Sequence, residues 1–427
     1  MNWLSRSNAT NGNWTASLDR LGQYAVIALA FAVPISTALS NVFLGLVLFC
    51  WLASGNYKYK LSLFVKSPVA FAALMLFAWL VISLAWVNQF DQDQIKFLRK
   101  YSNLLMVGVF LWFCLTSAIR SRVLFAFALS MLLTLTLSYV AATELLPSFS
   151  WMHATPGNAV VFRLHITHNL FMALAAILFG VFAVEAGLSG HRFFAAAWLV
   201  ACVLACINVV LMVQGRTGYV VLAAFIALAF AMRAGWKGIA AACLVVSLSA
   251  FAVYDFSDST RQRVNLTLTE LSQWQPDKPV TDGNSIGYRM EFFTNSLALI
   301  DKRPLLGSGL GSFPTEYKQH TEGTGRNPTD NPHNDALLLA VQAGIPSVLL
   351  FFYLLIRLGL AARHAASLQL RVLAPALALW IGVGGIFNAL LIDHSESLLF
   401  ALVLGLIAAG TLYAKNDRPS NAASALH

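Results

Sequence analysis

The chain has 427 residues, 58% of them hydrophobic and only 11% charged, with a formal net charge of +9. Soluble domains carry about 25% charged residues, so this balance excludes a soluble protein of this size. The positive charge suits contact with a membrane and its anionic lipids, and topology accounts for enough of it that no nucleic acid need be invoked.

Met1 to Arg20 is polar and lacks the short apolar core and small-residue cleavage site of a secretory signal, so it reads as a retained cytoplasmic tail. Beyond it, apolar runs of the roughly 20 residues needed to span a bilayer recur along the chain. They predict an all-α polytopic membrane protein with about twelve transmembrane helices, centred near residues 28, 46, 78, 110, 133, 177, 203, 225, 246, 347, 382 and 404. The first two alternatively form one re-entrant hairpin broken at Pro34. The organisation expected is one integrated membrane domain: helices one to nine over 1–254, a long outside loop over 255–332, and helices ten to twelve with a cytoplasmic tail over 333–427.

With the amino terminus inside, the inside segments hold Arg6, Arg20, Lys58, Lys60, Lys66, Arg120, Arg122, Arg192, Arg233, Lys237, Arg357, Arg363, Arg371, Lys415 and Arg418. The short outside loops hold only Lys96, Arg99, Lys100, Arg163 and Arg216, so the positive-inside rule supports this orientation. The five cysteines all fall in apolar segments, where they act as small hydrophobes. Cys202 and Cys206 share a helix face without a His or acidic partner, which suggests packing over a metal pair. Charges near mid-span are scarce; Glu185 and Arg233 lie toward inside ends, which argues against ion coupling.

The long loop from Asp255 to Pro332 far exceeds the two to eight residues usual between packed helices. Within it, "GYRMEFFTNSLALIDKRP" reads as an amphipathic helix of about three turns, with Met290, Phe293, Leu297 and Ile300 on one stripe. "PLLGSGLGSFP" follows as a Gly-rich turn whose apolar residues suit the membrane surface; its glycines miss the G-x-G-x-x-G spacing of a nucleotide loop and follow no strand.

Four features gather on the outside. "VQGRTGYV" holds Arg216 in a tight interfacial turn, where a guanidinium either grips a phosphate or snorkels. Arg289 opens the loop helix. "VVFRLHITHN" brings Arg163, His165, His168 and Asn169 to the start of the sixth span, the two histidines either chelating a metal or simply hydrogen-bonding. "NPHNDA" starts the tenth span with His333, Asn334 and Asp335. A helix amino terminus stabilises Asp335 and lowers the pKa of His333, leaving the neutral imidazole a general base requires; the bland alternative is capping. "DQD" at Asp91–Asp93 competes as a divalent-ion site, and "DHSES", with Asp393, His394 and Glu396, as a second acidic group.

The "HN" pair followed after nine residues by Gly344, the phrase "RPLLGSGLGSF" and "QGRTG" together resemble the O-antigen ligase and polymerase superfamily, over about Val213 to Ser347. Three positions after that glycine the ligase pattern commonly has Gly, Thr or Tyr, and here it is Ser347. The resemblance implies a GT-C-like membrane glycosyltransferase in the bacterial inner membrane with its site facing the periplasm. It implies metal-independent, inverting transfer of O-antigen from undecaprenyl pyrophosphate to lipid A-core, without a cofactor; a monomer is the expected state, though the sequence carries no signal for it. By position it implies His333 as the general base and Arg216 and Arg289 as the pyrophosphate-binding arginines. Arg163, His165, His168, Asn334 and Asp335 are expected around the substrate, and Lys96, Arg99 and Lys100 near anionic lipid. A polymerase and a protein O-oligosaccharyltransferase share the architecture; one large loop and no added soluble domain favour the ligase. A non-enzymatic flippase for lipid-linked sugar is the rival from another class, and it wants polar spans this chain lacks.

Overall fold

In a computed structural model of the chain, residues 12–143, 152–155, 157–256, 258–276, 278–280 and 284–414 are described. Arg6, Lys415 and Arg418 lie outside them. The described residues form sixteen α-helices and no strand, as an all-α polytopic membrane protein should. The polar stretch read as a tail to Arg20 is shorter than expected, because α1 (Gly12–Ile35) already includes Ser17 to Arg20.

Nine of these helices are long and apolar enough to cross a membrane, or ten if the pair α2 (Thr37–Ala53) and α3 (Tyr57–Lys66), bent by 113°, counts as one broken span. The difference from twelve has two sources. α6 (Asn103–Phe113) has only 11 residues, and the spans expected near 225 and 246 run together as α10 (Arg216–Phe256), broken at Ala234 and Gly235. The remaining spans are α1, α4 (Pro68–Ile82), α7 (Ser117–Ala142), α8 (His165–Leu188), α9 (Arg192–Ile207), α14 (Asp335–Ala361), α15 (Leu368–Phe387) and α16 (His394–Ala414). α16 is the most enclosed, with 89% of its apolar window buried against 22% for α9 and α10, so it forms the centre and they form a flank. Because lipid removes the hydrophobic drive for helix association, close approach of small residues matters more. A Cβ on Gly405 of α16 would lie 2.8 Å from the Val107 carbonyl of α6.

The segments expected outside meet at one end. Arg163 reaches Val33 and Thr37, Thr167 reaches Glu396, Asn103 reaches Ser397, and Lys96 reaches Asp330. Trp112–Asp19 and Gln369–Glu185 join segments of the opposite end.

The region from 255 to 332 carries three helices: α11 (Asp258–Gln273), α12 (Ser285–Lys302) and α13 (Phe313–Thr321). α12 is longer than the sequence suggested, and the expected stripe is not the face it buries. Gly287, Glu291, Phe292, Asn295, Ser296 and Leu299 are buried, whereas Leu297 is exposed and Met290, Phe293 and Ile300 are only half-buried. Polar partners decide this. Asn295 donates to the Tyr317 hydroxyl and accepts from Arg326, and Glu291 pairs with Arg326, so the mixed face turns inward.

The Gly-rich turn after α12 plugs a break in α14. At Ala343 and Gly344 the helical path is interrupted, Gly344 having φ 71°. The carbonyls of Val341, Gln342 and Ala343 then accept from Ser308 N–H, Gly309 N–H and the Trp79 indole. Buried backbone groups freed by a kink must find partners in this way. A Cβ on Gly344 would come within 2.1 Å of the Leu305 carbonyl oxygen. The Ser347 hydroxyl donates toward the carbonyls of Leu339 and Gly344, at 2.9 and 2.6 Å, so a small polar residue fits the break.

Candidate functional site

His333 lies one residue before the amino-terminal cap of α14. Its φ is 53°, a left-handed conformation uncommon for a residue with a Cβ. Its N–H donates to the Asn331 side chain at 2.9 Å, and its ring stacks on Phe292 of α12 with centroids 6.0 Å apart. Capping belongs to Asn334, whose Oδ1 accepts from Leu337 N–H at 2.9 Å while its Nδ2 donates to the Ile386 carbonyl. His333 is therefore held in place but not engaged as a cap. Burial, and after it the positive charge of Arg289, push the imidazole below the usual histidine range, so at neutral pH it is unprotonated and able to accept a proton. The expected direction is found, with burial and Arg289 as its causes.

Two sequence motifs build the turn that presents Arg216. After α9 a π-helical turn over Asn208–Met212 widens the helix end, a feature frequent at functional sites. Asn169 of α8 donates to the Gly215 carbonyl at 3.0 Å, and a Cβ on Gly215 would sit 2.5 Å from that amide nitrogen. His168 contacts Asn208 at 3.0 Å, Asn208 donates to Ser138, and Ser138 to the Ala159 carbonyl. On the other side Asn388 donates to Thr217. Arg216 thus projects from a braced turn. Its Nη1 lies 3.7 Å from Glu270 Oε2 of α11, yet this buried nitrogen has no hydrogen-bond partner.

Arg289 sits on the first turns of α12. Burial and then the charge of Arg216 pull its guanidinium below the usual arginine range, with Glu270 opposing. It also acts electrostatically on His165. Glu270 lies 3.7 Å from Arg216 and accepts from Ile286 N–H, three residues before Arg289, and Arg289 is within electrostatic reach of Arg216, His165 and His333. An anion entering there would relieve the repulsion between Arg216 and Arg289 and supply the acceptor that Arg216 lacks.

Other expected residues have protein partners. Arg163 donates to the carbonyls of Val33 and Pro34 and to the Thr37 hydroxyl, tying down the end of α1. His168 is buried in the bracing network. Asp335 is buried and accepts the N–H groups of Leu390 and Leu391, joining α14 to the turn before α16. In "DQD", Asp91 forms a capping box with Gln94 at the start of α5 (Gln92–Tyr101), and Asp93 faces Lys96 at 3.8 Å. In "DHSES", Glu396 is buried and accepts from Thr167. Glu270, Phe292, Arg326 and Asn388 were not singled out in the sequence. The sequence reading did not foresee α11, whose apolar positions Val264, Leu266 and Leu268 alternate, and nothing local ties Glu270 to a residue 54 positions earlier.

Two cavities lie at this end of the molecule, and Arg216 lines one of them. One of about 410 Å³ lies between the two halves of α10 and α11, lined by Leu222, Ala223, Ile226, Val246, Ala250 and Leu268, with Arg216 among its polar lining residues. The other, of about 830 Å³, lies among α2, α5 and the turn before α16. The family model described as O-Antigen ligase matches residues 200–352, which hold Arg216, Glu270, Arg289 and His333, so this part of the chain is similar to that family. No curated protein matches the chain.

Proposed function

We propose that this is an O-antigen ligase-superfamily protein that transfers a polysaccharide from undecaprenyl pyrophosphate to a sugar hydroxyl of lipid A-core, on the periplasmic side of the bacterial inner membrane. The observation that supports the reading is Glu270, which pairs with Arg216 and accepts from the first turn of α12, the helix that carries Arg289, whose charge acts on both Arg216 and a His333 that has no capping duty.

The acceptor hydroxyl oxygen attacks the anomeric carbon of the donor from the face opposite the pyrophosphate, which inverts the configuration. The free ring nitrogen of His333 takes the hydroxyl proton as the new C–O bond forms. The old C–O bond breaks with its electron pair on the pyrophosphate, and the charge that develops there is met by Arg216 and Arg289. Glu270 holds Arg216 in place before the donor arrives, and the apolar cavity along α10 accommodates the first isoprene units behind the pyrophosphate.

The test is a transfer assay with purified protein, lipid-linked polysaccharide and lipid A-core, with and without EDTA. The reading expects acceptor-dependent product ladders that persist in EDTA and vanish in His333→Ala and Arg216→Ala. Transfer surviving both substitutions would refute it. Chain growth on the lipid carrier without core acceptor would make the protein a polymerase.

A further inference from the structure

The 830 Å³ cavity contains neither Arg216 nor Arg289, and the mechanism above does not use it. The capping box at Asp91 and Gln94 sets the direction of α5 and brings Lys96, Arg99 and Lys100 to one wall. Lys96 is neutralised by Asp330 at 2.8 Å and Asp93 at 3.8 Å. Among the described residues, Arg99 and Lys100 form no ion pair within 4.0 Å. The carboxylate that faces them, Asp393, is itself held above its usual range by burial, and Lys100 is pushed below its own by burial and by Lys96. Two cations are thus placed in a cavity with too little negative charge to balance them.

The opposite wall identifies the class of occupant. Thr37, Asn41 and Leu44 lie along the outer part of α2, and Thr37 and Asn41 are exposed. The cavity therefore opens along an apolar span, which suits the head of an amphiphile over a free ion. The salt bridge from Lys96 ends on Asp330, three residues before His333, and three residues of chain reach at most about 11 Å. A lipid fixed by its phosphates at Arg99 and Lys100 has its sugars within reach of the imidazole.

We propose that this cavity holds the phosphate groups of the acceptor glycolipid, an inference that rests on the ligase reading above. Two anionic lipids then bind on separate pairs of cations, with His333 within reach of both.

The experiment uses the full chain in nanodiscs and the Arg99→Gln/Lys100→Gln double variant. Bis-phosphorylated lipid A, its dephosphorylated form, phosphatidylglycerol and inorganic phosphate are the binding probes. Lipid A should bind at least ten-fold more weakly to the variant, and the dephosphorylated form equally to both proteins. In the transfer assay, the acceptor KM should rise ten-fold or more while the donor KM stays the same, which also reports an intact fold. Arg99→Lys/Lys100→Arg should restore acceptor binding. Displacement of lipid A by equimolar phosphatidylglycerol would assign the cavity to bulk anionic lipid, and displacement by inorganic phosphate alone would assign it to a free anion; either overturns the proposal. An unchanged acceptor KM, or an equal rise in both KM values, overturns it too. If wild-type protein transfers nothing yet shows phosphate-dependent binding of lipid A, the ligase reading fails and the glycolipid site stands.

Discussion

His333 adopts a backbone conformation that costs about 1–2 kcal/mol for a residue with a Cβ, and its own side chain accepts nothing in return from the helix it precedes. Strain without a local structural benefit points to the ring as the reason for the residue. His333→Ala should therefore lower kcat/KM by a factor of 10² to 10⁴, as loss of a general base does, while thermal unfolding in detergent shifts little. The pH profile follows from the neighbours. Burial and Arg289 both favour the neutral ring, so kcat/KM falls with an acid limb below pH 6.5, where the base becomes protonated. In Arg289→Gln one cation that opposes protonation is gone, so the folded pKa rises and the acid limb of the residual activity moves to higher pH. A limb that stays put or moves down contradicts the electrostatic contact. Glu270→Gln keeps an acceptor for Ile286 N–H but loses the charge facing Arg216, and it should cost about ten-fold in activity through donor KM. His333 and Arg216 were visible in the sequence because rare polar residues stand out at the edges of apolar runs, whereas Arg289 was picked out by the family resemblance. Glu270 was not, because an acidic residue in a polar loop carries no signal until the fold puts it beside an arginine.

At the scale of elements, the break in α14 explains the spacing from His333 to Gly344. Eleven positions separate the imidazole from the point where the Gly-rich turn enters, so one end of the helix orients His333 while the break receives Ser308 and Gly309. Gly344→Ala meets the Leu305 carbonyl oxygen at 2.1 Å and must hold a left-handed φ, next to the point where Ile345 N–H donates to the Pro304 carbonyl. The strained conformation costs about 1–2 kcal/mol and the overlap about 1–3 kcal/mol. The variant should unfold several degrees earlier and expose the 255–332 region to protease at lower enzyme concentration; unchanged proteolysis would show that the turn is not anchored there. The sequence revealed that a glycine-rich turn exists but not where it docks, since a helix break inside an apolar run is silent in hydropathy. The same limit misdirected the reading of α12. Its apolar stripe was legible, but the face that packs was chosen by Arg326 and Tyr317, whose positions depend on the rest of the loop.

For the whole molecule, the alternation of spans with an inside amino terminus depends on how α10 crosses. A straight helix of 41 residues would measure about 60 Å, twice the roughly 30 Å hydrocarbon core. The break at Ala234 and Gly235, with Gly235 at φ 59°, divides it into halves that each match one crossing. They fold back on each other: a Cβ on Gly238 would lie 2.0 Å from the Phe230 carbonyl, and Ala223 and Ile226 share a cavity with Val246 and Ala250. Two crossings keep Arg216 and α11 on the same side, as the Arg216–Glu270 pair requires, whereas one crossing would separate them by a membrane. Arg233 and Lys237 flank the turn, so the positive-inside rule predicts a cytoplasmic position for it. In a background without the five native cysteines, Trp236→Cys, at a residue 75% exposed, should resist a membrane-impermeant maleimide in cells whose outer membrane alone is opened, and react after the inner membrane is permeabilised. Thr329→Cys, four residues before His333, should react in both conditions. Labelling of residue 236 from the periplasm would reverse the orientation of the hairpin, and with it the side on which Arg216 and His333 meet.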